Sequence, residues 1–389
     1  MAIFSNFQID SLVSGIYIHI PFCKQACYYC DFHFSTSLKR KEEMIQALLT
    51  EIELRKQEFV SDTVATIYFG GGTPSVLNQS EIETIIDAVY QHYNVIDEPE
   101  ITLEANPDDL TEERIAEIAK SLVNRLSIGI QSFFEKDLKL MNRAHNAEEA
   151  KKCLSLAVDQ FENISIDLIY GIPNTTHEEW RENISTALSF GVPHISSYAL
   201  TVEPKTALES FIQKGVIDNV NDEVAQQQFL ILVEELDKAG FVHYELSNFG
   251  KEGYFSKNNS AYWQGKKYIG IGPSAHSFNG KERSWNIANN ALYIKKIQEK
   301  ELPSEVEELS NTDRYNEYVM TGLRTVWGVS FHRVAEEFGR MYLDYLKMQA
   351  EKFILEDLLY IEDDTLRTTT KGKFLTDGIA SDLFKLNLS

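Results

Sequence analysis

Three cysteines fall in one short run, Cys23-Lys24-Gln25-Ala26-Cys27-Tyr28-Tyr29-Cys30, with the spacing C-x3-C-x2-C. The run follows an apolar, strand-like stretch, Gly15–Phe22. Three thiolates so spaced can hold three corners of one cubic iron–sulfur cluster, whereas a complete structural cluster takes four. The fourth iron is then open to a substrate or cofactor. Zinc is the alternative, with His19 or His33 as the fourth ligand. Phe22, Tyr28, Tyr29 and Phe32 surround the run and could shield a cluster from water, which affects its potential. The remaining cysteine, Cys153, lies in the helix-like Glu148–Val158 and reads as a small buried hydrophobe.

Other chemistry-bearing residues are spread along the chain. Gly70-Gly71-Gly72-Thr73-Pro74 lets backbone approach a ligand closely, but it is no nucleotide P-loop, because G-x4-G-K-[ST] is absent. Alone it reads equally as a tight turn. Glu104 sits in an otherwise apolar run, where an unpaired carboxylate is costly. Asp167 is likewise flanked by apolar residues. Gln131 and Arg143, taken singly, read equally as surface residues, and Tyr17 as an inward-facing strand tyrosine.

Short apolar runs rich in β-branched residues must position these groups: Gly15–Ile20, Val64–Phe69, Glu100–Ala105, Arg125–Ile130, Ile164–Tyr170 and His194–Leu200. Amphipathic stretches alternate with them, at Lys41–Phe59, Glu81–Tyr93, Glu112–Ser121, Ala147–Gln160 and Glu178–Phe190. Alternation of this kind predicts a parallel sheet covered by helices, here an α/β fold built as a partial (β/α)6 barrel; a doubly wound open sheet is the alternative. The polar motifs follow the ends of the apolar runs, the edge at which barrels build their sites. Beyond residue 300, Asp313–Thr325, Ser330–Phe338 and Tyr342–Glu356 read as helices. A hairpin turning at Asp363-Asp364 follows, which gives a small helical, winged-helix-like unit. The expected division is residues 1–298 for the barrel with an extension and 299–389 for the C-terminal domain, with the acidic stretch Glu299–Ser310 as linker.

Composition excludes several classes. The formal net charge of -22 over 389 residues disfavours a nucleic-acid partner, and the acidic Glu356–Asp364 argues against DNA at the winged-helix-like end. Four cysteines, three of them clustered, are not a secreted disulfide framework. Thiols that serve a cluster need a reducing compartment, so the expected location is the cytoplasm. Met1–Ser14 lacks the basic start and apolar core of a signal peptide, and no apolar run reaches the ~20 residues of a membrane span.

The cysteine spacing, placed just after the first strand, resembles the signature of the radical S-adenosylmethionine (SAM) superfamily. That resemblance implies a [4Fe–4S] cluster on Cys23, Cys27 and Cys30, whose open iron chelates the amino and carboxylate groups of SAM. It also implies reductive cleavage of SAM to methionine and a 5′-deoxyadenosyl radical. By the same resemblance Gly71, Gly72 and Thr73 line the SAM site, Glu104 bonds the ribose, and Gln131, Arg143 and Asp167 make further contacts. Arg143 suits the SAM carboxylate, and Tyr17 is expected near the cluster.

Within the superfamily Tyr17-Ile18-His19-Ile20-Pro21-Phe22-Cys23 is similar to the opening motif of two sister groups. These are the oxygen-independent coproporphyrinogen III dehydrogenases and the HemW-type haem chaperones. The dehydrogenases carry a further cysteine where Phe32 stands, and a longer N-terminal extension than the 22 residues before Cys23. HemW-type proteins carry Phe at that point and a motif H-N-x-x-Y-W. Here Asn259, Tyr262 and Trp263 match that motif, but Asn258 replaces its histidine. An amide is a poor iron ligand beside imidazole, so ligation would come from elsewhere, for example His243 or His276, or haem would be held differently. Gly270–His276 also resembles the HemW group. The expectation is a haem chaperone with haem, haem-acceptor proteins and an electron donor such as flavodoxin or ferredoxin as partners. Peripheral membrane contact and oligomeric state stay open. The alternatives are a dehydrogenase converting two propionates to vinyls, with release of CO2, and a zinc scaffold that needs no SAM.

Overall fold

The computed structural model describes residues 13–386; the stretch read for a targeting signal lies, up to residue 12, outside them. Six strands run parallel in chain order: β1 (Val13–Ile20), β2 (Thr63–Gly71), β3 (Val95–Ala105), β4 (Arg125–Gln131), β5 (Ile164–Tyr170) and β6 (His194–Ala199). Neighbours in sequence are neighbours in the sheet. That order contains no reversal and so rules out the doubly wound alternative, which needs a switch point.

Period-two alternation sorts the side chains of this arc. Ile16, Ile18 and Ile20 of β1, Ile67 and Phe69 of β2, and Ile164, Ile166 and Leu168 of β5 join the main hydrophobic core, all nearly or fully buried. The alternate residues are polar and pair with one another across the strands. Tyr17 lies opposite Tyr68, Tyr68 opposite Thr102, Glu104 opposite Ser127, Ser127 opposite Ser165, and Asp167 opposite Ser196. The arc therefore has an apolar face and a polar face, and the polar face carries the candidate site.

Helix starts follow the local sequence. Asn78 with Glu81, Asn146 with Glu149, Thr176 with Glu179, and Ser310 with Asp313 form reciprocal capping boxes. They open the helices Gln79–His92, Ala147–Val158, His177–Ser189 and Asn311–Leu323.

Six further strands extend the sheet. β7 (Val242–Glu245) and β8 (Asn248–Gly250) add antiparallel beyond β6. On the other side β9 (Tyr268–Ile271) pairs parallel with β1, followed by the antiparallel β10 (His276–Phe278), β11 (Glu282–Asn286) and β12 (Ser304–Glu308). β12 lies inside the stretch expected as a linker; residues 304–308 instead form the edge strand of the large sheet, paired residue for residue with β11. The alternation of charge with Val306 suits an exposed edge, and a charge-rich run reads equally as either.

The C-terminal helices Asn311–Leu323, Phe331–Glu337 and Arg340–Leu355 pack with Thr376–Asp382 around a separate apolar cluster. A three-stranded sheet completes the unit: β13 (Val329–Ser330), β14 (Leu359–Glu362) and β15 (Thr365–Thr368). Asp363 and Asp364 both take positive φ, at 48° and 57°, as a two-residue hairpin turn of the I′ type requires. No described helix is long and apolar enough to cross a membrane.

Candidate functional site

The cysteine loop leaves the end of β1 and is fastened at both ends. Cys23 N–H donates to Ser35 O at 3.1 Å and Ser35 N–H to Pro21 O at 2.9 Å, which closes its base. Its far side is stapled to the turn at Asn142. Asn142 Nδ2 donates to Ala26 O at 2.8 Å, Gln25 Nε2 to Asn142 O at 2.9 Å, and Tyr28 N–H to Met141 O at 3.1 Å. Asn142 adopts φ of 56°, a conformation asparagine tolerates better than most residues. Cys23 is buried, and Cys27 and Cys30 are half-buried; none is in a disulfide. Burial pushes the Cys30 thiol up to about 11 and raises that of Cys23, so a metal is needed to hold them as thiolates.

His19 engages Tyr17 Oη through Nδ1 at 3.3 Å and His33 O through Nε2 at 2.9 Å, while His33 Nε2 meets Asn290 Oδ1 at 2.7 Å. Among the described residues no three His, Cys, Asp or Glu side chains close around one ion. The donor set that remains is three thiols spread along one loop. It suits the corners of a cluster better than a tetrahedral zinc.

The glycine turn after β2 packs against this loop, and each glycine has a separate reason. A Cβ on Gly70 would stand 2.8 Å from Tyr17, 3.0 Å from Tyr68 and 3.2 Å from Glu104. Gly71 has φ of 104° and would meet the His19 ring at 2.5 Å. Gly72 lies against the backbone of Ile20 and Phe22. Gly72 N–H donates to Ile20 O at 2.9 Å and Thr73 N–H to Phe22 O at 2.7 Å, and Gly71 N–H bonds Glu104. These amides are committed within the protein. The turn can offer a ligand carbonyl oxygens, and an ammonium group is their natural match. Thr73 also hydrogen-bonds the Cys23 thiol.

Arg143 joins the loop to the sheet. Nη1 lies 3.3 Å from Cys27 Sγ and 3.4 Å from Tyr29 Oη, and Nη2 donates to Asn106 Oδ1 and Gly129 O at 2.7 Å each. Its Nε–H is buried, with no partner among the described residues. An orphaned guanidinium donor beside a thiol loop is a fit for a ligand carboxylate. Gln131 is buried at the β4 irregularity with φ of 66°, its amide beside Gly129 and Arg143.

The polar face continues from here. Tyr68 Oη donates to Glu104 Oε1 at 2.8 Å. Burial pushes the Glu104 carboxyl up to about 7; repulsion from Asp167 adds to the rise, and bonds from Tyr68 and the Gly71 N–H oppose it. Burial lifts Asp167 to about 6 against the pull of Arg125 and Arg143. Tyr17 stacks on Tyr68 with ring centroids 6.0 Å apart. The structure thus brings Tyr17, Gly71, Gly72, Thr73, Glu104, Gln131 and Arg143 to one end of the arc around Cys23, Cys27 and Cys30, with Asp167 on the same polar face.

Asn106 belongs to a polar motif at the strand ends, but the sequence alone gives it no specific role. It accepts from Arg143, donates through Nδ2 to Thr73 Oγ1 at 3.4 Å, and donates its N–H to Ser75 Oγ at 3.2 Å. Its signal was the Asn-Pro-Asp at the end of the third run.

The segment around Asn258 forms a short helix, Lys257–Trp263. Asn258 is only 2% exposed, accepts from Thr66 Oγ1 at 3.0 Å and donates its N–H to Glu100 Oε1 at 3.0 Å. It braces the start of the sheet, two residues along β2 from Tyr68. Of the two histidines proposed instead, His243 has both ring nitrogens engaged, by Leu246 O and Lys373. His276 is exposed on β10, tilted against Trp285.

Residues 17–187 match the family model of the radical SAM superfamily, and residues 309–375 that of the HemN C-terminal domain. Fold and site together define a radical SAM barrel with a HemN-type C-terminal domain. The heme chaperone HemW of Bacillus subtilis is 34% identical over 93% of this chain and 97% of its own length. HemW of Escherichia coli is 36% identical over 67% of this chain and 69% of its own. The chain belongs to the HemW family. Its fold is also that of the coproporphyrinogen III oxidase HemN of Escherichia coli, a radical SAM enzyme, with a TM-score of 0.83 at 21% identity over 96% of this chain and 90% of that one.

Proposed function

We propose that this protein is a haem chaperone of the radical SAM type, which holds haem and passes it to haem-requiring acceptor proteins. The observation that carries this reading is the donor set. Three thiols stand in one loop at the polar end of the barrel, and the only other cysteine, Cys153, is buried in a helix with its thiol pushed up to about 12. Likeness to HemW proteins along nearly the whole chain supports the same assignment.

Cys23, Cys27 and Cys30 would hold a [4Fe–4S] cluster and leave one iron for SAM. Bound together, the two supply one-electron cleavage of a sulfonium carbon–sulfur bond. The protein's own part is positional. The carbonyls of the glycine turn would receive the SAM ammonium, Arg143 Nε–H its carboxylate, and Glu104, anchored by Tyr68, would accept from the ribose hydroxyls. Gln131 and Asp167 line the remainder, and Tyr17 supports His19 and Tyr68 beside the loop. An electron donor of flavodoxin or ferredoxin type, a cytoplasmic setting, and a division near residue 298 belong to the same proposal.

Phe32, 68% exposed, stands where the dehydrogenases carry a further cysteine, which favours the carrier over the decarboxylating enzyme. The deciding experiment uses anaerobically reconstituted protein with SAM, dithionite and coproporphyrinogen III, beside a haem titration. Saturable haem binding without porphyrinogen turnover is the expected result; turnover would make the protein a dehydrogenase. Cys27→Ser should strip the broad brown absorbance of the cluster and abolish SAM cleavage while far-ultraviolet dichroism is retained. Undiminished cleavage in that variant would remove the cluster assignment.

A further inference from the structure

A cleft of about 290 Å³ lies between β7 and the C-terminal domain, away from the cysteine loop. His243, Arg324, Glu362, Arg367, Thr370 and Lys373 line it. Arg324 is matched, by Glu245 at 3.2 Å and Asp377 at 2.6 Å. Arg367 gives Nε to Val326 O and Nη1 to Glu362, and its Nη2 has no partner among the described residues.

Lys373 is different. Its ammonium meets only His243 Nδ1, at 2.8 Å, and no carboxylate lies within ion-pair distance among the described residues. His243 donates its other nitrogen to Leu246 O, and burial keeps the ring neutral, so it accepts from Lys373 and neutralises nothing. Burial brings the Lys373 ammonium down to about 8, with only the more distant Asp237 opposing. Acidic residues outnumber basic ones by 59 to 37 in this chain, so an unmatched cation is not a shortage of partners. A desolvated charge without a counter-ion is costly and is retained most simply where a ligand supplies one.

We propose that the cleft binds a small phosphate-type oxoanion, held by Lys373, Arg367 and the Thr370 hydroxyl at the joint between barrel and C-terminal domain. An ammonium and a hydroxyl from the short helix Thr370–Lys373, with the free Nη2 of a guanidinium on β15, suit a tetrahedral ion with an oxygen on every side better than a planar carboxylate. Inorganic phosphate and the phosphate of a small metabolite share that chemistry.

The test is isothermal titration of the full-length protein at pH 7 with inorganic phosphate and, separately, glycerol 3-phosphate, ionic strength being held constant with chloride. Saturable binding is expected, weakened at least about tenfold by Lys373→Met, the worth of one charge-assisted hydrogen bond, and largely restored by Lys373→Arg. The tighter of the two ligands assigns the source. Absence of saturable binding, or equal binding by Lys373→Met, overturns the proposal. Should that variant fail to fold, the wild-type protein still decides. Phosphate must raise its melting temperature above that in chloride of equal ionic strength, and no rise overturns the site.

Discussion

Glu104 and Asp167 face the same polar interior with their carboxyls held at about 7 and about 6. Glu104 ordinarily titrates near 4.5. Between that value and 7 the folded chain keeps a proton that the unfolded chain has released. Stability therefore falls as pH rises through this window and levels off above it. Glu104→Gln removes that dependence while leaving Tyr68 an acceptor. Melting temperatures measured without added SAM should nearly coincide at pH 5, and the variant should melt higher, by on the order of a few degrees, at pH 8. A difference independent of pH would deny the raised carboxyl. Cysteines, glycines and Glu104 were legible in the sequence because each is an unusual residue type for its place. Asn106 was legible as part of a polar motif but not in its role, since an asparagine before proline is also an ordinary turn residue. Glu51 was hidden for a related reason. In a helix it reads as one more solvated charge, yet it is fully buried and bonded by Tyr293 Oη, Asn286 Nδ2 and the Gly272 N–H.

At the level of elements, alternation of strand and helix announced the parallel arc, and consecutive pairing made it a partial barrel. The run 304–308 was the harder case. Its charges look like a solvated linker until β11 supplies a partner strand, a non-local fact that no local pattern contains. The helix Lys257–Trp263 is a brace, with Asn258 tied to Thr66 and Glu100 and its Tyr262 ring edge-on to Tyr268 at 4.5 Å. Asn258→Ala should therefore lower stability by about 1–3 kcal/mol, the cost of leaving buried groups unpaired, and leave the haem dissociation constant unchanged. A large loss of haem affinity, with stability intact, would return Asn258 to the haem site.

In the whole molecule, one arginine joins the two hydrophobic clusters. Arg324 pairs with Glu245, which is 1% exposed at the end of β7, reaches Asp377, and lies over the Trp263 ring at 5.2 Å. Backbone bonds run beside it, from Leu246 N–H to Arg324 O at 2.9 Å and from Val326 N–H to Tyr244 O at 3.0 Å. Arg324→Ala leaves the buried Glu245 carboxylate without its cation and should destabilise the chain by about 3 kcal/mol or more. Adding Glu245→Gln should recover much of that loss. If the double variant is as unstable as the single, the ion pair is not what holds the joint.

The large sheet is an open arc, so it has two ends. β7 is covered at its end by the C-terminal domain through the Glu245–Thr325 bridge. Among the described residues β12 has no cover, and every residue of Ser304–Glu308 is exposed, three of the five being glutamates. Unpaired strand edges are templates onto which any extended polypeptide can zip, and like charges along an edge repel a second copy of the same edge. The glutamate-lined margin therefore guards the open end of the arc against pairing with a second copy of itself.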